Sequence, residues 1–259
     1  MKTRRIGIIG GSGLDDPDIL EKASRVAVAT EWGEPSVIKV GTIDRVPVAL
    51  LGRHGPGHTI PPSQVNYRAN INALTQLGCT AIVATTAVGS LRMEIGRGDL
   101  VLLDQFVDFT RSRKNSFYDR FESGNPIHTS LADPFDHEIG SVLLDVAKNL
   151  GLEIHPKGTV VTIEGPRFST RAESMMFRSW GADVINMTIA TECALAREAG
   201  LRYAAIAMST DYDCWKTDEA PVSWEEISSV FARNASSVLS LVREALPKID
   251  RILDGEPAI

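Results

Sequence analysis

Residues 5–13 read RIGIIGGSG, a short apolar run that leads directly into a glycine-rich turn. Similar apolar runs recur along the 259-residue chain and are separated by segments with helical spacing. Strands without polar alternation are typical of sheets covered on both faces, so the pattern predicts an α/β fold with helices on both faces of the sheet. The predicted strands are Arg5–Ile9, Ser36–Val40, Val46–Leu51, Ala81–Thr85, Leu100–Leu103, Val160–Glu164, Val184–Met187 and Tyr203–Met208.

Five segments between and after these strands have the apolar spacing or the end signals of helices. Four of them end at a glycine, the residue that most readily adopts the left-handed backbone closing a helix. No repeat and no Pro/Ser-rich linker interrupts the chain, so we expect one domain over residues 1–259. The predicted helices are Ser63–Leu77, His137–Leu150, Arg171–Trp180, Thr191–Ala199 and Trp224–Leu246.

Composition and charge argue against several classes of protein. A net charge of −6 disfavours a non-specific nucleic-acid or anionic-membrane surface. Apolar runs are too short for a membrane span, and no signal peptide is recognisable. The three cysteines, Cys79, Cys193 and Cys214, are widely spaced and odd in number, as expected for a reducing compartment. The sequence therefore predicts a cytoplasmic protein.

Three strand ends carry residues suited to an anion. Gly10–Gly13 presents backbone N–H groups beside the Ser12 hydroxyl, whereas Arg53 and His54 offer side-chain donors. Thr86 follows the apolar strand that begins at Ala81, and small residues after it allow backbone amides to approach a ligand. Taken singly, a ligand-free turn, a solvated arginine and a β-branched strand end explain these features equally well or better. Together they favour a phosphate site at the carboxyl ends of the strands.

Particular residues in these loops argue against three more specific motifs. Asp16 stands where the dinucleotide-binding fingerprint needs its third glycine, and Leu14 replaces the last glycine of a hydrolase elbow. His54 and His58 have the spacing of a helical zinc pair, but residues 55–57 (GPG) make a helix there improbable.

Two further loops combine aromatic, amide and hydroxyl groups. Residues 164–171 (EGPRFSTR) contain Phe168, which could stack on a planar ring. Residues 186–188 (NMT) could direct an amide and a hydroxyl at a sugar or phosphate. Core packing of Phe168, surface pairing of the arginines and a plain strand end are the alternatives.

Asp211 and Asp213 follow the last apolar strand and alternate with aromatic residues. In extended backbone, carboxylates two residues apart can point the same way. If such a pair is partly buried, one pKa rises and a general acid becomes available at neutral pH. Divalent-metal binding and a solvent-exposed acidic turn are the alternatives. We expect Cys214 beside them to be a packing residue.

Residues 110–126 (TRSRKNSFYDRFESGNP) are polar and show neither a helix nor a strand pattern. Loops of this length inside a compact domain are often functional or lie at a subunit contact. We therefore expect this segment, which ends just before His128, to have one of these two roles.

The ordered set of motifs resembles the trimeric class of purine nucleoside phosphorylases, and within it the members that act on 5′-methylthioadenosine. Each stretch is weakly specific, but all occur in family order between residues 7 and 216. The resemblance implies the nucleoside phosphorylase fold, a mixed and partly barrel-like sheet flanked by helices. The matching stretches are GIIGGSGLDDP (7–17), RHGPGHTIPPSQVNYRANI (53–71), TTAVGSLR (85–92), IEGPRFSTRAE (163–173), WGADVINMT (180–188) and AIAMSTDYDCWK (205–216).

The resemblance also implies roles for individual residues. In the base pocket, Asp211 would meet the purine at N7 and Asp213 would support recognition of the 6-amino group, since relatives acting on 6-oxopurines tend to have asparagine at the N7-binding position. Phe168 and Ser169 would hold the purine ring, and Met187 would face the ribose. The implied phosphate site consists of Ser12, Arg53, His54, Thr86, the Ala87 amide and Thr188.

The implied reaction is reversible phosphorolysis of 5′-methylthioadenosine, with phosphate as co-substrate and without a metal or organic cofactor. The resemblance further implies a homotrimer with shared active sites, in which His128 reaches the 5′-substituent pocket of a neighbour. Trp224 stands where relatives often have a smaller aliphatic residue on the 5′ side, and Ser12 where many have threonine. The 5′ substituent is thus the feature least constrained by the resemblance.

Three other functions remain compatible with the residues. A hydrolase would break the same bond with water and would not need the phosphate site. A phosphorylase for other purine nucleosides, such as adenosine or 6-oxopurine methylthioinosine, would differ in its base or 5′ pocket. A nucleotide- or anion-binding module would bind tightly without releasing free base.

Overall fold

The computed structural model of the chain describes residues 3–11, 19–218 and 223–255. Eleven strands in this part of the chain form one mixed sheet. All eight predicted strands are present, with ends that differ by a few residues. The strands are β1 Arg5–Gly10, β2 Glu21–Val26, β3 Ile38–Ile43, β4 Val46–Gly52, β5 Cys79–Ser90, β6 Leu100–Leu102, β7 Gln105–Phe109, β8 Ile154–His155, β9 Thr159–Ile163, β10 Val184–Asn186 and β11 Arg202–Asp211.

Strand β5 organises the sheet because it pairs with three others. Strand β1 pairs in parallel with its first half, and β11 pairs in parallel with most of its length. At its carboxyl end β10 pairs with it antiparallel through Gly89 and Ser90. The main path runs β2-β3-β4-β1-β5-β10-β9-β7, while β11 continues through β6 to β8. The sheet therefore branches at the end of β5, and the ends of β4, β5, β10 and β11 bring most of the predicted site residues together.

The described residues contain five α-helices, which cover both faces of the sheet, as the sequence predicts. Successive β1 side chains point to opposite faces, so Ile9 packs in the core with α1 and α4, whereas Ile8 packs in the core with α2 and α5. Both of these isoleucines are buried, which explains why β1 lacks polar alternation. The helices are α1 Tyr67–Gln76, α2 His137–Asn149, α3 Arg171–Ser179, α4 Ile189–Glu198 and α5 Trp224–Leu253.

Several predicted boundaries are wrong for identifiable reasons. Helix α1 begins at Tyr67 rather than Ser63, because the Asn66 side chain accepts from the Ala69 N–H and caps the helix there. Helix α5 continues through Pro247 to Leu253, beyond the predicted end at Leu246. Strand β2 was not predicted because its side chains are exposed or half-buried and lack an apolar run.

The predicted strands that end at Thr85 and Met208 are longer in the structure, so the residues after them form strand rather than loop. Strand β5 extends to Ser90 and β11 to Asp211, with pairing that reaches Asp211 opposite Gly89. Thr86 and Asp211 consequently lie on paired backbone, which fixes them more firmly than a loop would. No helix in the described ranges is long and apolar enough to span a membrane.

Candidate active site

A cavity of about 460 Å³ lies where these strand ends meet. Every predicted site residue in the described part of the chain lines it except His128, and Ser12 lies outside the described residues. The predicted residues at the cavity are Arg53, His54, Thr86, Ala87, Phe168, Ser169, Met187, Thr188, Asp211, Asp213 and Trp224. The sequence analysis assigned no role to the remaining wall residues His58, Thr59, Pro61, Pro62, Ile163, Pro166, Ile185, Thr210 and Ile227, whereas Asn186, whose amide it directed at a ligand, also lines the cavity.

Arg53 lies at one end of the cavity and is almost completely buried, with 1% of its surface exposed. Its Nε and Nη2 donate to the two carboxylate oxygens of Glu192 at 2.7 and 2.9 Å. Its Nη1 donates to the Thr85 carbonyl at 3.2 Å, and the Tyr203 hydroxyl donates to Glu192 at 2.6 Å. Burial opposes the charge of the Arg53 guanidinium, but attraction to Glu192 outweighs it and raises its pKa. Arg53 is therefore a fixed, permanently charged group.

The start of helix α4 adds backbone donors at the same end of the cavity. Thr188 is the residue before the first helical turn, and the N–H groups there favour an anion. Asn186 Nδ2 donates to the Thr86 hydroxyl at 3.2 Å, and Asn186 Oδ1 accepts from the Thr162 hydroxyl at 2.8 Å. The amide that the sequence directs at a ligand is thus bonded to the protein and holds Thr86 in place.

His54 and two other rings pack in a row along the cavity wall. The His54 Nδ1–H donates to the Ile60 carbonyl at 2.9 Å, which fixes the ring plane. His58 stacks on His54 with ring centroids 4.2 Å apart, and Trp224 lies 4.6 Å from His58. Trp224 remains 45% exposed, so this wall ends at the cavity mouth.

Asp211 and Asp213 are both buried and lie further along β5 than Arg53 does. Asp211 lies against Gly89, whereas Arg53 contacts Thr85, four residues earlier on the same strand, so the two carboxyl groups line the opposite end of the cavity. Asp211 accepts from the Thr210 hydroxyl at 2.8 Å through Oδ2 and from the Asp213 N–H at 2.7 Å through Oδ1. Ser169 Oγ lies 2.8 and 2.7 Å from the two Asp213 oxygens, to which it donates. Burial raises the pKa of the Asp213 carboxyl, and its hydroxyl partners only partly offset this.

Gly89 allows the two carboxylates to approach strand β5 closely. A Cβ at this position would lie 3.0 Å from Asp211 Oδ1 and 3.1 Å from Ile185. The glycine in TTAVGS therefore serves the packing of Asp211 rather than an anion. Cys214 donates its thiol to the Ser169 carbonyl, and burial raises its pKa, which agrees with a packing role.

The metal-site alternative finds no support in the geometry. Among the described residues no group of three or more His, Cys, Asp or Glu side chains is arranged to hold a metal ion. His54 and His58 stack face to face instead of converging on a point. His128 is exposed and packs edge-to-face on Phe121 at 5.5 Å, away from the cavity of its own chain.

Comparisons with known proteins show the family to which the chain belongs. The family model described as "Phosphorylase superfamily" matches residues 5–247. The S-methyl-5′-thioadenosine phosphorylase of Danio rerio is 53% identical over 95% of this chain and 89% of its own length. That of Pyrococcus abyssi is 48% identical over 95% of this chain and 93% of its own.

A solved structure gives the same result for the fold. The methylthioadenosine phosphorylase from Schistosoma mansoni in complex with adenine superposes with a TM-score of 0.91 at 41% identity. The match covers 96% of this chain and 92% of that one. By sequence and by fold, the chain belongs to the phosphorylase superfamily and, within it, to the family of S-methyl-5′-thioadenosine phosphorylases.

Proposed function

We propose that the protein catalyses the reversible phosphorolysis of 5′-methylthioadenosine to adenine and 5-methylthioribose 1-phosphate. The observation that carries this proposal is one cavity with a buried arginine at one end and two buried carboxyl groups at the other. The first suits an anion and the second suits a purine ring with donors and acceptors on its edge. The names of the relatives, and the adenine in the Schistosoma structure, support the same substrate.

In the proposed mechanism, phosphate lies against Arg53, His54, Thr86, the Ala87 amide and Thr188, with Ser12 as a further ligand. The glycosidic C–N bond breaks first, its electron pair moves to the purine, and the ribosyl ring becomes positively charged. A phosphate oxygen then bonds to the anomeric carbon. The bound dianion stabilises the ribosyl cation and is already oriented for capture.

Asp211 is the proposed general acid. It donates a proton to purine N7 as negative charge builds on the leaving base. Asp213 accepts from the 6-amino group, while Phe168 and Ser169 hold the ring. Hydrogen bonds from the Thr210 hydroxyl and from the Asp213 N–H fix the orientation of the Asp211 carboxyl group. The chemistry needs inorganic phosphate as co-substrate and no metal or organic cofactor.

The 5′ side is proposed to be completed by a second subunit. Met187 faces the ribose and Trp224 borders the 5′ substituent, while His128 of one subunit reaches the site of its neighbour in a homotrimer. The exposed aromatic cluster of Tyr118, Phe121 and His128 supports this arrangement, because such residues are enriched at protein interfaces. We further propose that residues 1–259 form one domain and that the protein works in the cytoplasm on small molecules, without nucleic acid or membrane.

Product analysis tests the proposed function. Methylthioadenosine, adenosine and methylthioinosine are each incubated with the protein, with and without phosphate, and free base and sugar phosphate are quantified. We expect adenine and 5-methylthioribose 1-phosphate to form only with phosphate. Base release without phosphate would indicate a hydrolase, preference for methylthioinosine would indicate a 6-oxopurine enzyme, and tight binding without base release would indicate a sensor.

The pH dependence of substrate capture should report on Asp213. Because burial raises its pKa, this carboxyl group becomes protonated at a higher pH than an exposed aspartate and then loses the negative charge that strengthens its hydrogen bond from the 6-amino group. We therefore expect kcat/KM for methylthioadenosine to fall on the acid side, as pH decreases through the raised pKa. In Asp213→Asn the decrease in kcat/KM that is caused by protonation of Asp213 should be absent. An unchanged acid limb in Asp213→Asn would assign the titration to another residue.

A further inference from the structure

Arg113 is a buried arginine in the polar segment 110–126, and the predicted site does not include it. Its side chain is only 3% exposed. Nε donates to Glu164 Oε1 at 2.8 Å, and Nη1 donates to the Tyr67 hydroxyl at 2.8 Å. Nη2 donates to two backbone carbonyls, that of Glu164 and that of Met187, the latter at 3.0 Å. One guanidinium thus joins three separate parts of the chain.

Each of these parts forms a wall of the cavity. Met187 lines it directly, and Glu164 precedes the stretch from Pro166 to Ser169, most of which lines it. The Tyr67 hydroxyl in turn donates to the Pro62 carbonyl at 3.0 Å, and Pro62 also lines the cavity. Two of these walls, at Pro166–Ser169 and at Met187, are the ones where the base and ribose are proposed to bind.

The anion side is held by a different set of contacts. Glu192 fixes Arg53, and Asn186 fixes Thr86. The hydrogen bonds made by Arg113 include none of these residues. Loss of Arg113 should therefore act most directly on the purine and ribose walls. Its links to the anion side are indirect: the charges of Arg53 and Glu192 affect the pKa of Tyr67, and Met187 is the chain neighbour of Thr188.

The chemistry of arginine suits this position better than that of lysine. A planar guanidinium offers donors in fixed directions and can satisfy several acceptors at once, whereas an ammonium group is a point charge. The Glu164 carboxylate is itself oriented, since Oε2 accepts from the backbone N–H groups of Arg111 and Ser112. The polar segment and the purine wall therefore share one hydrogen-bond network.

We propose that Arg113 is a positioning residue for the nucleoside, which sets the distance between the purine wall at Pro166–Ser169 and the ribose wall at Met187. This proposal rests on the proposed function and assigns a role to the polar segment within the same site. Contact between the walls is already close, since a Cβ on Gly165 would lie 2.6 Å from the Met187 sulfur. A small displacement of either backbone would therefore change the space left for substrate.

The test compares Arg113→Met and Arg113→Lys with Arg111→Met as the matched control. Arg111 lies two residues away in the same segment, and its side chain is exposed over the Phe109 ring. Steady-state KM values for methylthioadenosine and for phosphate are measured separately. We expect Arg113→Met to raise KM for methylthioadenosine about tenfold, as for a lost hydrogen bond to a charged group, with KM for phosphate changed less than about twofold. The KM of Arg113→Lys for methylthioadenosine should lie between the values for Arg113→Met and wild type. Both KM values of Arg111→Met should resemble those of wild type.

Tyr67→Phe keeps the test decisive if Arg113→Met does not fold. It removes only the hydroxyl that links Arg113 to Pro62, and we expect a smaller rise in the same KM. Equal changes in both KM values, or no change in either, would overturn the proposal, as would the same effect in Arg111→Met. Calorimetric titration with adenine and with phosphate measures the same split without turnover. Absence of phosphorolysis in the wild-type protein would instead contradict the proposed function.

Discussion

Asp211→Ala should lower kcat for methylthioadenosine phosphorolysis by about 10²–10⁴-fold, the usual contribution of a general acid. The leaving purine would then depart without a proton donor at N7, so the loss falls on the chemical step. Substrate binding should suffer less, because Phe168, Ser169 and Asp213 still line the pocket. Single-turnover measurements with saturating substrate and phosphate separate the chemical step from binding.

A structural effect of the same substitution must be separated from the chemical one. Alanine leaves the Thr210 hydroxyl and the Asp213 N–H without their acceptor, which should cost about 1–3 kcal/mol of stability. Thermal unfolding measures this loss, and assays well below the transition keep the variant folded. Asp133→Ala is the control, since Asp133 is an exposed aspartate that does not line the cavity. A kcat for Asp211→Ala within a few fold of wild type would contradict the acid assignment.

Much of the fold was predictable because it depends on local patterns. The apolar run at residues 5–9 and the glycines after four helices are visible in the sequence, and those glycines adopt the positive φ expected of helix ends. Strand β2 was not predictable, since it is an exposed strand stabilised by pairing with β3. Its six residues, EKASRV, resemble a polar loop until the neighbouring strand is known.

The cavity was predictable only in the residues that carry recognisable chemistry. Arg53, Asp211 and Asp213 follow apolar strands, so their positions at strand ends could be derived from the sequence. Glu192 lies 139 residues from Arg53 within a helix, where a glutamate is usually solvated. Arg113 is equally inconspicuous in a polar stretch. Long-range hydrogen bonds of this kind leave no periodic signal, so a single sequence does not reveal them.

The ion pair between Arg53 and Glu192 should be the most sensitive polar contact in the protein. Both side chains are almost completely buried, and the carboxylate is also bonded to Tyr203. Removing one partner leaves an uncompensated charge in a low-dielectric interior, whereas removing both replaces the pair with apolar volume. The two kinds of change therefore have different consequences for stability, whereas phosphate binding should be lost whenever Arg53 is removed.

Glu192→Leu and Arg53→Met should each lower the free energy of unfolding by about 3–5 kcal/mol, and the double variant should lose less than the sum. Denaturant titration of wild type, the two single variants and the double variant completes this double-mutant cycle. In wild type, added phosphate should raise the midpoint, because it binds the folded state. That shift should be absent in both variants that lack Arg53, together with phosphate-dependent turnover.

The double variant separates the two roles of Arg53. If it regains stability without regaining phosphate binding, Glu192 serves to compensate a charge that the protein keeps for its substrate. Normal KM for phosphate in that variant would remove Arg53 from the proposed phosphate site, and strictly additive losses would show that the pair is not coupled. Arg243→Met provides the control, since Arg243 makes the same two-point contact with Asp44 on the surface. Solvent screens that pair, so its removal should change stability little and leave phosphate binding intact.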